Sequence, residues 1–208
     1  MAVIDGPHLG SVVTGRATSL SGLSTPQFVF AYGSLAVAAG PLSRTPSARG
    51  WIAELPGFAR RWGVAMDNAR DLPGYKHYRL VDGTRPEVFV TFLDIVRRAG
   101  AAVNGVCLPV GDEALALLDR RERNYVRRDV TAQIDGAPGR VWAYAGSPSA
   151  RARLRRARAR GRAVISAEYL QQVTAGLRAL GPGELAALQA SLTGDAPPVW
   201  ELARIDSA

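Results

Sequence analysis

The chain of 208 residues is 47% apolar and carries a formal charge of +8 at neutral pH, enough to bury one good core within a single domain. Its longest mainly apolar stretch, Val88 to Val96, includes Asp94 and falls far short of the roughly 20 apolar residues that a membrane-crossing helix needs, so no membrane partner is expected. The single cysteine, Cys107, excludes an intrachain disulfide and a cysteine-built metal cage, which suits the cytoplasm.

Residues 1 to 27 are rich in Gly, Ser and Thr and lack a basic start followed by an apolar block, so they read as a loose tail and not as a secretory signal. Residues 28 to 208 then read as one domain. Phe28 to Ala31 has strand composition and stops at the turn Tyr32-Gly33-Ser34-Leu35, where glycine can supply a φ that other residues resist. After a Pro- and Ser-rich connection, Trp51 to Met66 reads as two candidate strands divided by Pro56-Gly57. Tyr78 to Val81, Val88 to Ile95 and Ala102 to Leu108 carry β-branched and aromatic residues between breakers, as successive strands of one sheet or barrel do. Cys107 falls in the last of these, where an inert buried thiol is the preferred reading.

A helix is predicted next, over Ala114 to Arg123, because Asp112 and Glu113 supply the acidic first turn and no breaker follows. Tyr125 to Ile134 and Arg140 to Tyr144 return to strand character, and the C-terminal third is helical. There Ser147-Pro148 caps a first helix ended by Gly161. A second starts at Ser166, with Leu170, Val173, Leu177 and Leu180 on one face, and Glu184 to Leu192 makes a short third.

Leu115, Leu118 and Glu122 follow i, i+3, i+7 spacing, so a carboxylate continues the apolar stripe of the mid-chain helix. A carboxylate taken out of water acquires a raised pKa or a dedicated partner, and a raised pKa suits proton transfer near neutrality. A salt bridge to Arg121, Arg123 or Arg127 is the competing reading. The turn at 32–35 offers consecutive backbone N–H groups able to hold a carboxylate, but it matches neither a phosphate loop nor a dinucleotide fingerprint.

Phe28-Val29-Phe30-Ala31-Tyr32-Gly33-Ser34-Leu35, then Leu55-Pro56-Gly57-Phe58-Ala59-Arg60-Arg61-Trp62, Val103-Asn104-Gly105-Val106 and Leu118-Asp119-Arg120-Arg121-Glu122-Arg123-Asn124-Tyr125, together resemble the γ-glutamylcyclotransferase superfamily in order and spacing. The resemblance runs from about Phe28 to about Leu180. It implies an α+β fold, a small mixed β-barrel flanked by helices. It also implies a substrate-gripping turn of Tyr32, Gly33, Ser34 and Leu35, with Glu122 as acid and base. The implied reaction converts a γ-glutamyl amine or peptide to 5-oxoproline and a free amine, with no metal or cofactor. Tyr144 resembles a substrate-contacting tyrosine of that family, although a core or edge tyrosine fits the sequence equally. Asp67 to Arg79 departs from the segment usual in glutathione-degrading members, which puts glutathione in doubt as substrate.

Lys76, His77 and Arg79 either recognise an acidic group on another γ-glutamyl compound or form a solvated basic loop, the stronger expectation. Arg151, Arg153, Arg155, Arg156, Arg158, Arg160 and Arg162 crowd one helix. With no interleaved aromatics they read as a solvated face and specific nucleic-acid recognition is not expected, weak binding of RNA or DNA phosphates by this helix being the alternative. A small-molecule γ-glutamyl substrate is the expected partner, and the alternative function is a non-catalytic small-molecule or anion-binding protein on the same fold. The sequence leaves the oligomeric state undetermined.

Overall fold

The computed structural model describes residues 25–39, 42–71 and 73–206, so most of the expected tail lies outside the described residues. The chain forms strands β1 (Gln27–Ala31), β2 (Trp51–Asp67), β3 (Lys76–Arg79) and β4 (Phe89–Pro109), then helix α1 (Asp112–Arg121). Strands β5 (Tyr125–Asp129) and β6 (Arg140–Gly146) lead to helix α2 (Pro148–Ala159), strand β7 (Ala163–Ser166), and helices α3 (Ala167–Leu180) and α4 (Pro182–Ser191). Three short strands close the chain: β8 (Leu192–Thr193), β9 (Val199–Trp200) and β10 (Ala203–Asp206).

The scaffold is a long antiparallel pair, β2 on β4, running from Trp51 opposite Cys107 to Asp67 opposite Phe89. Both were expected as split strands, yet each is continuous. At Pro56-Gly57 the pair changes register without ending, because Gly57 takes φ +78. Opposite it, residues 97–100 of β4 are exposed. The apolar pattern therefore lapses where the ribbon meets water, while the hydrogen-bonded ladder continues.

β1 pairs antiparallel with β4 and parallel with β6, and β5 adds antiparallel to β6. Among the described residues the sheet order is β5-β6-β1-β4-β2-β8, with β7 attached to β4 and β9 to β7, while β3 and β10 make a separate two-stranded sheet. The fold is α+β as expected, but its sheet does not close into a barrel. The C-terminal third carries the expected helices together with four short strands missed in the sequence, which are too brief for a two-residue period to register.

Alternation along β1 and β6 divides the interior. Phe28, Phe30, Val141 and Ala143 face the main core, which α3 seals with Tyr169, Val173 and Leu177. Val29 and Tyr144 point to the opposite face, against Leu115 of α1. On α2, Leu154 and Ala157 pack against Ala65, Ala163 and Phe89. Each large apolar side chain sealed in this way contributes about 1.5–3 kcal/mol.

Candidate active site

Ser34 stands three residues past the end of β1 and opens a 3-10 turn over Ser34–Ala38. Gly33 before it adopts φ −141, so the turn does not use the positive φ expected of its glycine. Glu122 caps the C-terminal end of α1 with φ −85 and ψ 47. Its N–H donates to the Leu118 carbonyl at 2.8 Å, and its own carbonyl accepts from Tyr125 N–H at 2.9 Å. This pins the carboxylate where helix gives way to strand. Leu115 and Leu118 pack instead into the Val29–Tyr144 cluster, so Glu122 leaves the helical stripe and enters a different space from theirs.

That space is a narrow cavity of about 40 Å³, lined by Ser34 and Glu122 together with Tyr75, Lys76, Tyr78, Phe92, Arg121, Asn124, Tyr125, Tyr169, Gln172 and Arg204. The Glu122 side chain is 16% exposed, and Arg121 Nε lies 3.6 Å from its Oε1. Burial raises the Glu122 pKa above that of an ordinary carboxylate, against the opposing pull of Arg121, Lys76 and Arg204. The two sequence readings therefore hold together, since the loose arginine pair is present and does not cancel the cost of burial.

The cavity walls are braced from behind. β2 and β4 change register between Trp62 and Val64, and a bulge of this kind frees main-chain groups that need new partners. Those partners are cavity tyrosines: Tyr125 Oη donates to the Leu93 carbonyl at 2.7 Å, and Tyr169 Oη accepts from Leu93 N–H at 3.4 Å. Asn124 Nδ2 donates to Tyr75 Oη at 3.1 Å, and Asn124 Oδ1 accepts from Arg153 Nη2 at 2.9 Å. Burial lifts the Tyr75 hydroxyl to about 12 and raises Tyr125 and Tyr169 as well, so all three stay protonated near neutrality.

Of the expected site residues, the structure brings Ser34 and Glu122 to one cavity. Tyr32 is buried beneath it and donates from Oη to the Tyr144 carbonyl at 2.5 Å. Gly33 lies against the wall, where an added Cβ would stand 3.4 Å from Tyr169 Oη. Leu35 packs into the apolar core. Tyr144 is absent from the cavity lining, and its hydroxyl donates to Asp119 Oδ1 at 2.7 Å. Strand alternation sends that side chain to the α1 face, away from the cavity that holds Ser34 and Glu122. Cys107 is fully buried, and burial lifts its thiol to about 12.

The residues missed in the sequence carried weak signals. Tyr78 shares one face of β3 by simple alternation with Lys76, which the sequence offered as a contact for an acidic group while favouring a solvated loop, and Tyr125 sits in the same motif as Glu122. Tyr169, Gln172 and Arg204 come from segments whose approach depends on the tertiary fold. The arginine helix, expected to present a solvated face, is tied to the fold by three of its arginines. Arg151 forms a salt bridge to fully buried Asp94 at 2.8 Å, Arg153 donates to the Ala65 carbonyl at 2.7 Å, and Arg158 donates to the Asp195 carbonyl at 2.8 Å. Arg155, Arg156 and Arg160 are exposed as expected. Among the described residues no group of three or more His, Cys, Asp or Glu is placed to hold a metal ion, and no helix is long and apolar enough to cross a membrane.

The chain belongs to the family described as gamma-glutamyl cyclotransferase, AIG2-like, which matches residues 29–163 and so includes both Ser34 and Glu122. Among solved structures it is similar to a gamma-glutamyl cyclotransferase at 18% identity and TM-score 0.45, covering 81% of this chain and 92% of that one. It is also similar to a yeast gamma-glutamyl cyclotransferase specific to glutathione, at 16% identity and TM-score 0.39, covering 81% and 87%. An uncharacterized protein from Homo sapiens stands at 19% identity and TM-score 0.44, covering 83% and 94%. No curated protein sequence matches the chain at a significant level.

Proposed function

We propose that this cavity cyclises a γ-glutamyl amine or peptide to 5-oxoproline, releasing the attached amine. The observation that carries the reading is the convergence of Ser34 and a buried, pKa-raised Glu122 on one cavity. The substrate's α-ammonium gives a proton to the Glu122 carboxylate, and the freed amine attacks the γ-carbonyl carbon. As the C–N bond to the leaving group breaks, Glu122 returns that proton to the departing nitrogen and then passes the second proton of the ring nitrogen to the freed amine, which leaves as an ammonium. Atoms and charge balance without water. N–H groups at the Gly33–Leu35 turn hold the α-carboxylate, as the family resemblance implies.

Because nucleophile and electrophile belong to one molecule, the pocket acts mainly by folding the substrate into a near-attack geometry. Such positioning reaches effective molarities on the order of 10⁵ M or more. Cavity walls tied to Leu93 and Asn124 suit that task, since a rigid wall restricts the conformers of a bound chain. Incubating the purified protein with γ-glutamyl dipeptides, γ-glutamylamines and glutathione, and measuring 5-oxoproline, tests the proposal. At least one compound is expected to be turned over. Binding of panel members without any 5-oxoproline would instead favour the non-catalytic alternative.

A further inference from the structure

The cavity holds three cationic side chains, Lys76, Arg121 and Arg204, around one carboxylate. Two of the three have anionic partners. Arg121 lies against Glu122, and Arg204 donates from Nε to Asp206 Oδ1 at 2.9 Å. The Lys76 ammonium has neither an ion-pair partner nor a hydrogen-bond acceptor among the described residues. Its nearest ring contact is Phe92, with Nζ 4.5 Å from the ring centroid, and Tyr75 lies at 6.0 Å.

An ammonium drawn out of water costs free energy unless something compensates, and a ring face returns only about 0.5–2 kcal/mol. Burial, aided by repulsion from Arg204 and Arg121, pulls the Lys76 pKa down to about 8, against the longer-range attraction of Glu122 and Asp206, neither of which forms a direct ion pair with it. Alternation along β3 separates Lys76, on the cavity side with Tyr78, from exposed Arg79 on the other face. The basic segment is therefore not a uniform solvated loop, because one of its cations is turned inward.

We propose that Lys76 is a specificity-determining residue that takes an anionic group on the leaving-amine side of the ligand, so that γ-glutamyl compounds whose amine carries a carboxylate are preferred. This rests on the γ-glutamyl reading of the cavity, in which the turn at 33–35 already holds the α-carboxylate common to all such substrates. Lys76 thus answers to a second acid. Arg204 adds long-range attraction from β10, which pairs with β3 and places Arg204 opposite Tyr78 and Asp206 opposite Lys76. Both β10 residues lie beyond the segment that matches the family, residues 29–163.

The test is calorimetric titration of the Glu122→Gln protein, in which turnover is slow on the time of the titration, with γ-glutamylalanine and with its C-terminal amide. The two ligands share shape and differ in one charge. The acid is expected to bind about tenfold to a hundredfold more tightly, as one charge-assisted contact allows. Adding Lys76→Met should bring the two affinities within about twofold, Lys76→Arg should retain the preference, and Lys76→Glu should turn it toward a cationic leaving amine. Circular dichroism checks that each variant is folded. Equal binding of acid and amide to the parent, or a preference that survives Lys76→Met, overturns the proposal while leaving the γ-glutamyl site intact. Binding of neither compound overturns both.

Discussion

Burial places the Glu122 carboxylate where its charged form is disfavoured, so the folded protein holds that proton more tightly than the unfolded chain does. The sign follows directly. The group's contribution to stability is fully present below the ordinary glutamate pKa and is lost as pH rises through the raised value. Glu122→Gln cannot ionise, so its melting temperature should exceed the wild-type value at pH 8, with the gap closing on acidification below the usual carboxylate range. An unchanged gap across that window would show that the carboxylate is not the group responsible. Tyr144 calls for a different outcome. Its hydroxyl serves Asp119, so Tyr144→Phe should lower stability by about 1 kcal/mol and leave kcat and KM near wild type, as unfolding and steady-state assays would show. The sequence indicated the inward turn of Glu122 because one acid interrupted a stripe of leucines. It could not show which face of β6 presents Tyr144, since position in a strand fixes alternation but not which neighbour covers each side.

At the scale of elements, the motif segments mostly encode scaffold. Arg60 is fully buried in β2, where its Nη1 donates to Asn104 Oδ1 at 2.9 Å and to Ser191 Oγ at 2.8 Å. Asn104 Nδ2 in turn donates to Glu184 Oε2 at 2.8 Å. Next to Asn104, Gly105 lets β4 approach β1 closely, since an added Cβ would stand 2.5 Å from the Ala31 carbonyl oxygen. Gly105→Ala should therefore push β1 and the Ser34 turn off the cavity wall. A fall in activity beyond the fall in thermal stability is the expected result, measured at a temperature where the variant is fully folded. Asp94 joins β4 to α2 through Arg151 and to β2 through Arg61, and accepts from Gly146 N–H at 2.7 Å. Asp94→Asn should destabilise by about 3 kcal/mol in denaturant titration, whereas Arg155→Ala should stay within about 0.5 kcal/mol. Composition alone could not separate these arginines. What distinguishes Arg151 is a buried carboxylate 57 residues earlier in the chain, which becomes its neighbour only when β4 and α2 pack.

The whole molecule assembles its cavity from both ends of the chain. Ser34 follows the first strand, Glu122 ends the mid-chain helix, and Arg204 arrives on the last strand. Ser166 Oγ both caps α3 and donates to the Leu202 carbonyl at 3.1 Å, while Glu168 Oε2 accepts from Arg204 N–H at 2.9 Å. These two bonds hold the C-terminal segment against the helix that carries Tyr169. Ending the chain before Val199 should open that wall and weaken substrate binding, raising KM more than it lowers kcat. Strands and helices of ordinary length were legible in the sequence, while the closure of the site by two- to four-residue strands was not. The central claim is that Glu122 moves the proton in a cyclisation. Its most direct test is single-turnover formation of 5-oxoproline by wild type and by Glu122→Gln, under saturation with whichever γ-glutamyl compound the wild type accepts. Loss of a general acid and base predicts a rate about 10² to 10⁴ times slower in the variant with binding retained, and equal rates for the two proteins would contradict it.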